Sequence, residues 1–270
     1  MVGVRKCLAD GPSVLVSAVL WMMAAALLPE PFSGFGVLVL LAASVLGAAG
    51  VGESVLVRVL WRARPVTAVQ WRILVASVEH LDPATRLWVV QRPDVDVVPV
   101  GRRRVVLTSG LLDGLVSGRV PHRMVTALLV GAEGQLAAGV SRRDPAIRAV
   151  CTPLVVGAIP VAALGMSRWV RLGWQLRPVV FGVAIVQTSQ LGLIGVSVAL
   201  AGLLAVSYLM PRWQRQWRQL RVRIFDDTVA AAGRAEDLAA WLRQTAGETQ
   251  RDRIVALENR HLVGRRPSRG

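Results

Sequence analysis

The stretch Ala127–Gly139, ALLVGAEGQLAAG, reads as a helix with an apolar lead-in followed by small residues. Glu133 and Gln135 are its only polar side chains. Taken alone it is any helix in which two backbones come close, because glycine and alanine leave room for a neighbour. What precedes and follows it makes it a recognisable position.

Hydrophobic residues make up 53% of the 270 and charged residues only 18%, which points first to a membrane protein. The net charge is +15 and almost all of it is arginine, Lys6 being the single lysine. Such a balance suits nucleic acid, anionic lipid or a positive cytoplasmic face, and a GC-rich genome gives the same Arg/Ala/Val/Gly bias. No helix-turn-helix or zinc-finger pattern is present, so no nucleic-acid partner is expected. Cys7 and Cys151 are far apart, which supports neither a disulfide framework nor a cysteine zinc site.

Four apolar runs stand out: Ser13–Leu28, Phe35–Gly52, Ala149–Ser167 and Val179–Leu209. A spanning helix needs about 20 mostly apolar residues. The fourth run meets this and the second nearly does. The first is short, and Pro153 and Pro160 interrupt the third, so a buried soluble helix is the alternative for both. Arg5 and Lys6 before the first run, with Ala24 and Ala26, also resemble a signal peptide. Asp10, Gly11 and Pro12 separate those charges from the apolar core and favour an anchor. Arg58, Arg62 and Arg64 after the second run put the middle region in the cytoplasm. The basic segment PRWQRQWRQLRVR (211–223), which pairs Arg212, Arg215, Arg218 and Arg221 with Trp213 and Trp217, fits the same side. Arg168, Arg171 and Arg177 between the third and fourth runs disagree with four spans. Either the charge rule is overruled there, or that pair is a hairpin that does not fully cross.

Residues 65–148 form the polar stretch large enough to fold. TAVQWRILVASVEHL places Val69, Ile73, Ala76 and Leu81 near one helix face. TRLWVVQ, VDVVPVG and RRRVVLTSG read as strands, the second at an edge because Pro99 has no N–H to give. LLDGLVSG and HRMVTALLVGAEGQLAAGV read as helices. The order is that of an α+β layer.

RRVVLTSGLLDGL followed by MVTALLVGAEGQ resembles the HtpX-like membrane zinc metallopeptidases, the forty-eighth metallopeptidase family. There a strand ending in a Thr/Ser-Gly-Leu-Leu turn, here Thr108, Ser109, Gly110, Leu111 and Leu112, leads to a helix bearing H-E-x-x-H. A later helix supplies a Glu ligand four residues before an Asp, and RIFDDTVAAAGRAEDLAAWLRQ (223–244) stands there. Order, spacing and landmarks are similar over nearly the whole chain.

In that resemblance the two histidine ligands fall at Gly131 and Gln135, the general-base Glu at Ala132, and the third ligand at Arg223. Gly134 and Asp227 keep the family's landmarks. Glycine has no side chain, Gln is a poor zinc ligand and Arg repels a cation. A shift of one residue does not help: with Glu133 as base, Ala132 and Leu136 would be the ligands. His80, His122 and His261 have no partner four residues on, and a site of Glu133, His122 and Asp227 has little to recommend it. No catalytic residue, no metal site and no cofactor are expected. Active relatives pair an edge strand with extended substrate, and the resemblance places that strand at Asp94, Val95, Asp96, Val97 and Val98.

The expected fold class is thus α+β, membrane-anchored and mostly helical, with a small sheet in a cytoplasmic metallopeptidase-like domain and about four membrane helices. The expected organisation is a membrane hairpin over 1–64 (spans 13–28 and 35–52), the α+β domain over 65–148 and a second hairpin over 149–210 (spans 149–167 and 179–209). Helices over 211–262 complete the domain, and a disordered tail follows at 263–270. Glu53 is expected at the membrane interface near Arg58, and the polar QTSQ (187–190) at a helix break or helix–helix contact. The expected function is an inactive pseudopeptidase of the bacterial cytoplasmic membrane, multi-pass, with its soluble domain inside. Its partners would be the lipid bilayer and a protein or peptide. The alternatives are an active zinc endopeptidase with a non-standard site, and an unrelated multi-span protein.

Overall fold

The structure, a computed structural model, describes residues 2–26, 42, 52–79, 81–152, 167–245 and 250–264. The chain divides into two compact units. One takes residues 3–44 and 147–218, the other 45–146 and 219–270.

The second unit is built on a four-stranded mixed sheet of order β1-β2-β4-β3. β1 (Arg64–Pro65) runs antiparallel to β2 (Arg86–Val90), β2 parallel to β4 (Arg104–Thr108), and β3 (Val97–Val100) antiparallel to β4 at the edge. Alternation along the strands sends side chains to two buried faces. Leu87, Val89, Val97, Val105 and Leu107 form a core with Leu74, Leu111, Met124, Val125 and Leu129. Trp88, Val90, Val100 and Val106 form another with Val57 and Ala63. Helices α2 (Glu53–Leu60), α3 (Ala68–Val78), α4 (Ser109–Val116) and α5 (His122–Ala137) lie in this unit, and the short α6 (Asp144–Val150) starts in it and runs into the other.

Thr67 starts α3 with a reciprocal cap, its side chain accepting from the Gln70 backbone while Gln70 accepts from the Thr67 N–H. The buried face of α3 matches the expected one only in part. Ile73 and Leu81 pack against the core as expected, but Leu74, Ser77 and Val78 are the buried residues of α3, while Val69 and Ala76 are exposed. Glu53 also differs from expectation. It is buried and pairs with Arg104, while Arg58 is exposed. Arg104 Nη2 also donates to Ser54 Oγ at 2.8 Å, so the start of α2 is tied to the β3–β4 turn.

In the first unit α1 (Val2–Ala26) and α7 (Ser167–Gln190) precede α8 (Ile194–Ala231), whose residues from Gln219 belong to the second unit. The expectation of about four membrane helices is overturned: among the described residues one helix, α8, is long and apolar enough to cross a membrane, by length and composition. The predicted fourth span is two helices. α7 ends at Gln190, Gly192 turns the chain at a left-handed φ of 72°, and α8 begins at Ile194. Thr188 Oγ1 and Ser197 Oγ meet across this break at 2.7 Å, and the Arg177 guanidinium stacks 4.4 Å from the Tyr208 ring centre. Between Pro178 and the polar QTSQ, the apolar stretch of α7 is only Val179–Val186. α1 carries Arg5, Lys6 and Asp10 in its first three turns, so the predicted first span fills only its second half. The predicted second and third spans lie almost wholly outside the described residues.

After α8, α9 (Ala235–Thr245) and α10 (Arg251–Gly264) pack together. Leu238, Ala239, Leu242, Ile254 and Leu257 bury around Val229 and Ala127, the latter on α5.

Candidate functional site

The TSGLL turn is a clamp on the segment that leads into β3. Thr108 Oγ1 accepts from the Asp96 N–H at 3.0 Å and donates to the Asp96 carbonyl at 3.2 Å. Ser109 Oγ accepts from the Arg92 N–H at 3.1 Å and donates to the Arg92 carbonyl at 2.9 Å. Gly110 donates its N–H to the same carbonyl at 2.8 Å. A Cβ on Gly110 would stand only 2.6 Å from the Asp94 carbonyl oxygen and closer still to that of Pro93. Leu111 and Leu112 bury in the core and anchor the turn from below.

Of the five expected edge residues, Val97 and Val98 lie in β3, while Asp94, Val95 and Asp96 form the lead-in. Asp94 and Asp96 are exposed, whereas Val97 and Pro99 are buried.

α5 packs beside β3 and meets the C-terminal part of α8 through its small residues. A Cβ on Gly131 would stand 2.5 Å from Cε2 and Cζ of Phe225. One on Gly134 would stand 2.5 Å from Cβ of Thr228. Gln135 is buried, and its Nε2 donates to the Arg221 carbonyl at 2.8 Å. Ala132 is fully buried in the sheet-side core. Three of the four positions matched to the zinc site therefore line one packed helix contact or the core beside it. The fourth does not join them: Arg223 is exposed, and Phe225 occupies the space against Gly131.

Two residues beside this contact were not singled out from the sequence. Asp226, the neighbour of the landmark Asp227, is buried and holds Arg253 of α10 through a two-pronged pair. Nη2 lies 2.7 Å from Oδ1, and Nε lies 3.0 Å from Oδ2. The guanidinium also stands 5.9 Å from the centre of the Phe225 ring. Phe225 is thus set between Gly131 and a cation. Asp227 itself is exposed. The 27-residue separation of Asp226 from Arg253 carries no local sequence signal.

The remaining candidates lie apart. Glu133 accepts from the Asp82 N–H at 2.7 Å, and His122 Nδ1 meets Ser77 Oγ at 3.0 Å. Among the described residues no group of three His, Cys, Asp or Glu side chains could hold a metal ion. The donor set at the helix contact is an amide, and the amide's nitrogen is already committed to a carbonyl. These residues do not fit zinc. The chain has no match among protein-family models, curated proteins or solved structures.

Proposed function

We propose that the chain is a degenerate relative of the HtpX-like metallopeptidases, acting as a binding or regulatory scaffold and not as a peptidase. The observation that carries this reading is Phe225 against Gly131. The place where the first histidine ligand would project is filled by an aromatic ring, and the place of the second is a glutamine bonded to backbone. Packing has taken over the volume in which a metal-bound water would sit. An edge strand beside that helix, clamped at Asp96 by Thr108, is retained and is where a peptide or protein partner docks.

The apolar first half of α8 anchors the chain in the bacterial cytoplasmic membrane. Arg212, Arg215 and Arg218, all exposed, follow that half and favour the cytoplasmic face for the α+β unit. Resistance of the membrane-bound protein to alkaline washing checks the anchor.

Metal analysis and a proteolysis assay on the purified full chain, with and without chelator, test the scaffold reading. The expected result is no stoichiometric zinc and no chelator-sensitive cleavage. Bound zinc together with chelator-sensitive cleavage overturns it.

A further inference from the structure

Among the described residues no strand pairs with the outer side of β3, but Val97 and Pro99 are buried there and the edge is not an open row of donors and acceptors. Opposed residues in an antiparallel pair alternate between bonded and non-bonded pairs. Thr108 donates its N–H to the Asp96 carbonyl, which makes Asp96–Thr108 a bonded pair. Val98–Val106 and Val100–Arg104 are therefore the next bonded pairs, and Val97 and Pro99 turn their backbone groups away from the sheet. Pro99 has no N–H. The Val97 N–H is already taken, because it donates to Oδ1 of Asp96 at 2.8 Å. A carboxylate of this chain occupies the donor that the carbonyl of an added strand would use.

Asp96 is held in this pose from both sides of its backbone by Thr108, so its side chain does not need to search for the Val97 amide. An incoming carbonyl has to displace a charged acceptor, and charge-assisted bonds of this kind are the stronger ones. The displaced carboxylate then needs a donor of its own. Asp94, exposed two residues earlier, adds negative charge at a short acidic lip on a chain that is otherwise strongly basic.

We propose that β3 accepts an extended peptide only by displacing the Asp96 carboxylate from the Val97 N–H, and that the freed carboxylate selects a peptide with a lysine or arginine beside the displacing carbonyl. Asp96 is then a built-in pseudosubstrate and the specificity-determining residue of the edge. This rests on β3 being the docking edge of the scaffold proposed above. Zinc-dependent cleavage would sink the scaffold reading and leave the lysine preference measurable.

The test is fluorescence anisotropy of the full chain in detergent with labelled seven-residue threonine–valine peptides carrying lysine, glutamate or alanine at the centre. Hydrogen exchange over residues 95–99 is read in parallel. The wild type is expected to bind the lysine peptide about tenfold more tightly than the glutamate peptide, the scale of one desolvated charge contact. Asp96→Ala should lose that preference, bind the alanine peptide more tightly than the wild type does, and lose protection of the Val97 amide in the absence of peptide. Asp96→Asn, which keeps the acceptor oxygen without the charge, should retain the protection and lose the preference. Equal affinity of the wild type for the lysine and glutamate peptides overturns the proposal. So does an Asp96→Ala variant indistinguishable from wild type, or no binding of any peptide by any of the three forms.

Discussion

The Phe225 ring lies so close to Gly131 that a Cβ there would stand 2.5 Å from two ring carbons. No side chain fits at the position where the resemblance places the first zinc ligand unless the ring moves. Gly131→Ala is therefore expected to destabilise the fold by about 1–3 kcal/mol through overpacking. Phe225→Leu should recover part of the loss, so that the two substitutions together cost less than their sum. Thermal or denaturant unfolding of the four proteins in the cycle measures it. Rebuilding H-E-x-x-H with Gly131→His, Ala132→Glu and Gln135→His should not yield a zinc-binding protein while Phe225 remains. Stoichiometric zinc in that variant would show that the contact yields easily.

Asp226 and Asp227 are adjacent, and the resemblance singles out the second. The structure buries the first against Arg253. Asp226→Ala should cost about 2–4 kcal/mol, because it strands a partly buried guanidinium beside an aromatic ring. Asp227→Ala, at an exposed position, should stay within about 1 kcal/mol. Equal effects in urea unfolding would contradict this division of roles.

Glu53 and Arg104 form a pair in which Glu53 retains 3% side-chain exposure and Arg104 14%. Removing one partner should be worse than removing both. Glu53→Ala is expected to cost about 3 kcal/mol or more, and Glu53→Leu with Arg104→Met markedly less. A double variant as unstable as the single one would mean that the charges themselves are required.

Gly110 faces main-chain oxygens and not a side chain that could swing away. Gly110→Ala should therefore displace the Arg92–Asp96 segment as well as destabilise the fold, by about 2–4 kcal/mol. Faster amide exchange at Asp96 and Val97 is the specific sign. Destabilisation without it would mean that the strain is absorbed in α4.

The strands and helices of the α+β unit were legible because their signals are local. Short runs of β-branched and other apolar residues mark β2 and β4, Pro99 marks an edge, and Thr67 with Gln70 marks a helix start. Thr108, Ser109 and Gly110 could be located from sequence but not interpreted. Their hydrogen bonds go to Arg92 and Asp96, 12 to 18 residues away, and only the fold brings those together. The membrane segments were overread. The fourth run reads as one span, although the polar QTSQ inside it is itself expected at a helix break or helix–helix contact; α7 ends there at Gln190, and Gly192 turns the chain at φ 72°.

The sequence by itself determined that the positions matched by the resemblance to a zinc site carry no zinc ligand, since Gly131, Ala132 and Gln135 supply neither an imidazole nor a carboxylate. Only the tertiary structure decided what stands in their place. The resemblance placed Arg223 facing that helix, but the rotation of α8 against α5 is set by where side-chain volume fits. Two glycines on α5 admit a ring and a threonine from α8, and Phe225 and Thr228, with the Arg221 carbonyl, take those places while Arg223 turns to solvent.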